Sequence, residues 1–90
     1  MAPAAYSVVL LPKVAKVIER LAPKIRDQVL ETVDSLKRDP RPPGCRKLTG
    51  VGGGLWRVRS GNYRIVYEIF DRELRVLVVR VGHRREVYRL

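Results

Sequence analysis

Three apolar, β-branched runs separated by two short turns lie between Leu55 and Leu90, and this pattern constrains the fold more than any other. Leu55–Arg59 (LWRVR) precedes the turn Ser60-Gly61-Asn62. Tyr63–Phe70 (YRIVYEIF) precedes Asp71-Arg72-Glu73, and Leu74–Val81 (LRVLVVRV) precedes Gly82. Turns this short join strands into antiparallel hairpins. Side chains alternate across a strand, so Tyr63, Ile65, Tyr67 and Ile69 share one face and Arg64, Val66, Glu68 and Phe70 the other. On the first strand Trp56 and Val58 oppose Leu55, Arg57 and Arg59. On the third, Leu74, Val76, Val78 and Arg80 are expected to oppose Arg75, Leu77, Val79 and Val81. One face must be covered by another layer, and the other is expected to remain a partly open groove. Gly82 is expected to interrupt the third strand, with HRREVYRL following as a short strand or irregular tail.

A two-residue turn at Gly61-Asn62 would set the register of the first hairpin. It places Ser60 opposite Tyr63 and Arg59 opposite Arg64. Like charges facing each other across a ladder destabilise it, so this pair would be relieved by an anion bound between them.

The front half supplies the cover. Tyr6–Leu11 (YSVVLL) reads as a strand. Pro12 suits a first helical position, where its missing N–H is no loss. Val14, Val17, Ile18 and Leu21 then form one apolar stripe. Ala22-Pro23 breaks the run. A second helix starts near Pro23, with Ile25, Val29, Val33 and Leu36 as its stripe, Leu30 beside it and Asp39-Pro40 as its end. Residues 39–54, rich in proline and glycine, read as a loop. The expected fold is α+β: an N-terminal strand and a two-helix hairpin packed on a small, mainly antiparallel sheet. Ninety residues make one domain, spanning 1–90.

Charge narrows the function. The net is +10, and it is lopsided: residues 41–90 hold 12 basic and 4 acidic side chains, against 7 and 5 in residues 1–40. A small domain carrying such self-repulsion is usually built for an anionic partner. In the second half arginine outnumbers lysine 11 to 1, a choice suited to bidentate contacts with phosphate. Cys45 is the only cysteine, which excludes an intrachain disulfide and a cysteine-rich metal site. The opening MAPAAYSVVLLP lacks the basic start of a signal peptide, and no apolar stretch approaches membrane-spanning length. A soluble cytoplasmic protein with no membrane partner is expected.

Arg57, Arg59 and Arg64 form one basic group; Arg80, His83, Arg84, Arg85 and Arg89 form a second. Antiparallel pairing brings both to one end of the sheet. His83 and Tyr88 are the available proton carriers, and cationic neighbours favour the phenolate of Tyr88. Acidic residues are too scattered to hold catalytic magnesium or calcium, so neither metal nor other cofactor is expected. RNA brings its own nucleophile, the 2′-OH; the protein then needs a base, an acid and cations around the phosphate.

At the level of motifs, WRVRSGNYRIVYEI followed by VRVGHRREVYRL resembles the RelE/ParE toxin superfamily, on its RelE side. YSVVLLPKVAKVIERLAP resembles the opening strand and helix of that family. The resemblance implies the toxin of a type II toxin–antitoxin system: a metal-independent, ribosome-dependent endoribonuclease cleaving mRNA in the A site. It implies a cognate antitoxin as partner, with any promoter DNA binding running through the antitoxin complex. Matched to the family motifs, Arg64, Arg84 and Tyr88 are the expected catalytic residues. Arg57, Arg59 and His83 match basic positions, and with Arg85, Arg89 and Lys47 they make up the expected RNA-binding set. The SGN and HRRE loops are shorter than in some members. A ParE-like inhibitor of DNA gyrase and a non-catalytic nucleic-acid-binding module remain as alternatives.

Overall fold

The computed structural model describes residues 5–48 and 54–87, the side chains of residues 86 and 87 excepted. The elements follow in the order β1 (Ser7–Leu10), α1 (Pro12–Glu19), α2 (Pro23–Ser35), β2 (Arg46–Lys47), β3 (Leu55–Ser60), β4 (Tyr63–Phe70), β5 (Arg75–His83) and α3 (Arg84–Val87). The five strands form one sheet in the order β1-β5-β4-β3-β2. β1 runs parallel to β5 and all other pairs are antiparallel. This is the expected α+β layout of a helical hairpin on a small sheet. No helix among the described residues is long and apolar enough to cross a membrane.

Both helices begin at proline, each after an extended residue, because the ring fixes a helical φ and the first amide has no partner to lose. Val14 and Ile18 of α1 and Val29, Val33 and Leu36 of the α2 stripe are buried against Val58, Ile65, Tyr67, Val76, Val78 and Val81. Burying side chains of this kind stabilises a fold by about 1.5–3 kcal/mol each. Val17 departs from expectation and stays 40% exposed, on the shoulder of α1 beside Val79–Gly82.

α2 also stops early, at Ser35. Lys37 and Arg38 donate to the carbonyls of Asp34 and Ser35, three residues back, so the last turn tightens. The Lys37 carbonyl is taken by the Tyr6 amide at 2.8 Å, and β1 thereby claims the acceptor that a longer helix would have used.

The loop after α2 is held from three sides. Arg41 donates to both carboxylate oxygens of Asp71, at 3.2 and 2.8 Å. Tyr6 Oη–H donates to the same carboxylate at 2.7 Å, and the Arg41 guanidinium lies 5.1 Å over the Trp56 ring. Beneath it, fully buried Tyr67 donates its hydroxyl to the Pro40 carbonyl at 2.7 Å. Burial pushes that phenol up from its ordinary pKa, so it stays a donor.

Four expectations for the tail are corrected. Leu74 is not in the strand; it takes a left-handed conformation (φ 50°) that closes the Asp71–Glu73 turn. Gly82 does not interrupt β5, which runs through it to His83. After His83 the chain makes the short helical turn α3 rather than another strand. The largest correction is to the faces of β5. Val66 pairs with Arg80 but Tyr67 pairs with Val78, so Val79 is an extra residue on β5. A bulge of this kind reverses side-chain parity along its strand. Val81 therefore joins Val76 and Val78 in the core, and Arg80 lies on the opposite face, in register with Val66.

Candidate nucleic-acid interface

The sheet has one face covered by α1 and α2 and an opposite, open face, although Arg57, Arg64 and Val66 on it are themselves buried; register decides which residues each face receives. Residues directly opposite each other in a ladder point to the same side. Arg46 pairs with Arg57, Arg57 with Val66, and Val66 with Arg80. These residues form one row across β2, β3, β4 and β5. Two residues further along, Arg59 pairs with Arg64, and Arg64 with Gly82. This second row has the Arg59–Arg64 opposition that a two-residue turn at Gly61-Asn62 requires. Gly61 sits at φ 59°, the left-handed value that a type II′ turn needs at its first position.

Arg57 is 3% and Arg64 8% exposed, both among the buried polar residues, whereas Arg59 is exposed. Among the described residues the Arg64 guanidinium reaches only the Tyr63 carbonyl, at 3.5 Å, and its buried Nε has no hydrogen-bond partner. Among the described residues, Arg59, Arg64 and Arg84 make no ion pair. An uncompensated buried charge costs on the order of several kcal/mol. The end of the sheet that carries Arg59 and Arg64 is therefore electrostatically suited to an anion.

Arg84 belongs to this end. It is exposed and opens α3, and its backbone N–H donates to the Asn62 carbonyl at 2.8 Å. That bond fixes the start of α3 against the β3–β4 turn, beside the second row. Arg85 is exposed, and its backbone N–H donates to His83 Nδ1 at 3.4 Å. Tyr88 and Arg89 lie outside the described residues.

Two members of the expected RNA-binding set are not brought to this face. His83 pairs with Tyr63, which packs toward the core, and the two rings meet edge to face at 5.7 Å. His83 therefore lies on the helix side, lining a recess of about 330 Å³ with Ile25 and Gln28 of α2. Lys47 pairs with Trp56, also a helix-side residue. Alternation puts its neighbour Arg46 on the open face in its place. Arg46 and Arg80 are cations of this face outside the expected RNA-binding set, although Arg80 stood in the second basic group. Arg80 left a faint signal: it was the one charge in a strand set otherwise made of core residues. Arg46 left none, because a two-residue strand has no periodicity to read. Among the described residues no three His, Cys, Asp or Glu side chains gather as a metal-binding group.

A helical hairpin backing one small sheet, with an arginine-bearing opposite face, places the molecule in a known class of small toxins. The family model for the ParE toxin of type II toxin–antitoxin systems matches residues 8–88. The toxin RelG of Mycobacterium tuberculosis is 34% identical over 73 residues, which is 80% of this chain and 83% of that protein. Similar solved structures include the RelBE2 toxin–antitoxin complex of M. tuberculosis, with TM-score 0.80 and 28% identity over 92% of this chain and 95% of the other. The archaeal RelE–RelB complex of Pyrococcus horikoshii has TM-score 0.80 and 26% identity over 92% and 99%. Isolated Escherichia coli RelE has TM-score 0.74 and 28% identity over 93% and 92%. The chain belongs to the RelE/ParE toxin superfamily of type II toxin–antitoxin systems.

Proposed function

We propose that this protein is a single-domain RelE-type toxin that cuts mRNA in the ribosomal A site, acting in the cytoplasm and held in check by a cognate antitoxin. The observation that carries this reading is the Arg59–Arg64 opposition, with Arg64 buried and without an ion-pair partner among the described residues. Such a pair is suited to a phosphodiester whose charge rises in the transition state. In this reading the 2′-OH attacks the adjacent phosphate and its proton passes to Tyr88. Arg64 stabilises the charge on the non-bridging oxygens. Arg84 hydrogen-bonds the leaving 5′ oxygen, which takes its proton from solvent. The products are a 2′,3′-cyclic phosphate and a 5′-OH. Arg57 and Arg59 hold the RNA backbone. The similar M. tuberculosis RelBE2 and P. horikoshii RelE–RelB structures are toxin–antitoxin complexes, which supports an antitoxin for this chain; promoter DNA would be met through that complex.

The test is translation in a purified cell-free system, with the mRNA ends mapped. Cleavage within A-site codons that falls ~10²- to 10³-fold in Arg64→Gln and is lost in Tyr88→Phe supports the reading. Intact mRNA at saturating toxin overturns it. The ParE name of the matching family favours one second reading, inhibition of DNA gyrase. Loss of gyrase supercoiling activity alongside intact mRNA would establish it.

A further inference from the structure

Beside the Arg59–Arg64 pair this face has a recess that adds Arg46, which the proposed mechanism does not use, to the backbone-holding Arg57 and Arg59. Among the described residues, β2 pairs only with Arg57 and Trp56, and the β3 edge from Val58 onward has no further strand partner. At that edge lies a recess of about 290 Å³ lined by Pro43, Gly44, Arg46, Arg57, Val58 and Arg59. Three of its six lining residues are arginines, and they come from both rows. Arg46 and Arg57 face each other across the β2–β3 ladder, about 4.8 Å apart between strands. Arg59 is one same-face step along β3 from Arg57, about 6.8 Å. The recess therefore sits next to the position between Arg59 and Arg64 and is offset from it along the strand.

The wall that carries Arg46 is fixed. Cys45 N–H donates to the Pro42 carbonyl at 3.0 Å, which closes a tight turn around Gly44, at φ 88°. The Arg41–Asp71 pair and the Tyr67–Pro40 bond hold the segment leading into that turn. Past the first row, β4 presents Glu68 in register with Leu55 and Leu77. That carboxylate marks the far end of the cationic run, and a phosphate chain passing Arg57 would turn away from it toward the β3 edge. Lys47, adjacent in sequence, is on the other side of the sheet, so the recess owes its cation to the register of two residues.

We propose that Arg46, with Arg57 and Arg59, forms a subsite for a phosphate flanking the scissile one on a single-stranded RNA. The inference rests on the proposed ribonuclease function for the identity of the strand, but not for its geometry. Arg46 is a binding residue here, not a catalytic one. Arg46 is exposed and belongs to no ion pair among the described residues.

The experiment uses the full chain and a labelled single-stranded oligoribonucleotide made uncleavable by a 2′-deoxy sugar at the target position. Binding is followed against salt for wild type, Arg46→Gln and Arg72→Gln; Arg72 is an equal charge in the Asp71–Glu73 turn. Each lost phosphate contact on a single strand lowers the log–log salt slope by about 0.7. The expected result is that loss in Arg46→Gln and an unchanged slope in Arg72→Gln. A neutral methylphosphonate placed in turn at the phosphates on either side of the target should, at one position, make wild type and Arg46→Gln bind alike. On programmed ribosomes Arg46→Gln should raise the half-saturating toxin concentration while the cleavage rate at saturation holds. Equal slopes for wild type and Arg46→Gln overturn the subsite, as does an equal loss in Arg72→Gln, which would make the effect one of net charge. If wild type cleaves mRNA and Arg46→Gln matches it throughout, the subsite fails and the ribonuclease reading stands. If wild type leaves mRNA intact but Arg46→Gln still loses slope and methylphosphonate sensitivity, the subsite stands and the ribonuclease reading falls.

Discussion

Arg41 and Arg64 are the same residue type in opposite circumstances. Arg41, at the loop end, has both carboxylate oxygens of Asp71 and the face of Trp56. Arg64, at the turn end, is more deeply buried, and its Nε has no partner. A fold that selected only for stability would place its carboxylates the other way round. The difference separates the part of the molecule that holds the chain together from the part that waits for a ligand.

The sharpest way to break that comparison is Arg64→Met. Removing an uncompensated buried charge in favour of an apolar side chain is neutral or stabilising, while the proposed cleavage should fall ~10²- to 10³-fold. Thermal melting beside the mRNA assay reads both, and a lower Tm would mean that Arg64 belongs to the framework. Next in size is Tyr67→Phe, which strands the Pro40 carbonyl next to the core. A loss of about 1–3 kcal/mol is expected by urea denaturation, with cleavage preserved. The smallest effect is expected from Asp71→Asn. Hydrogen bonds from Arg41 and then Tyr6 hold the Asp71 carboxyl at about 2, below its ordinary 3.8. A carboxyl depressed on folding contributes stability that is full above 3.8 and lost as pH falls through about 2. Asp71→Asn should therefore lower Tm slightly at neutral pH and flatten the acid limb of a Tm-against-pH curve between those values. An unchanged acid limb would show that the Arg41 clamp carries no stability.

The element order was legible because each signal was local. Proline opens both helices, the stripe Val29, Val33 and Leu36 marks the covered face of α2, and two-residue turn chemistry alone puts Arg59 opposite Arg64. Misreadings came where a distant strand decides. The extra residue at Val79 exists only against β4, and it alone moves Arg80 to the open face and Val81 to the core. α2 ends at Ser35 in a tightened turn of bonds three residues back, and the Lys37 carbonyl goes to distant Tyr6. Lys47 and Arg46 exchange roles through a pairing with β3 that no periodicity announces. For the candidate site, Arg57, Arg59, Arg64 and Arg84 were readable from strand parity and motif; Arg46 required the register itself.

The parallel pairing of β1 with β5 has a consequence for how the molecule comes into being. Ser7–Leu10 finds its ladder partner, among the described residues, in Arg75–Val78, so the first strand and both helices are synthesised long before the strand that pairs with β1. Contacts this remote in sequence form late and slow the search. The Arg46–Arg57 and Arg59–Arg64 oppositions lie within β2, β3 and β4, whereas Arg80 joins its row, and Arg84 reaches the turn at Asn62, only once β5 is in place.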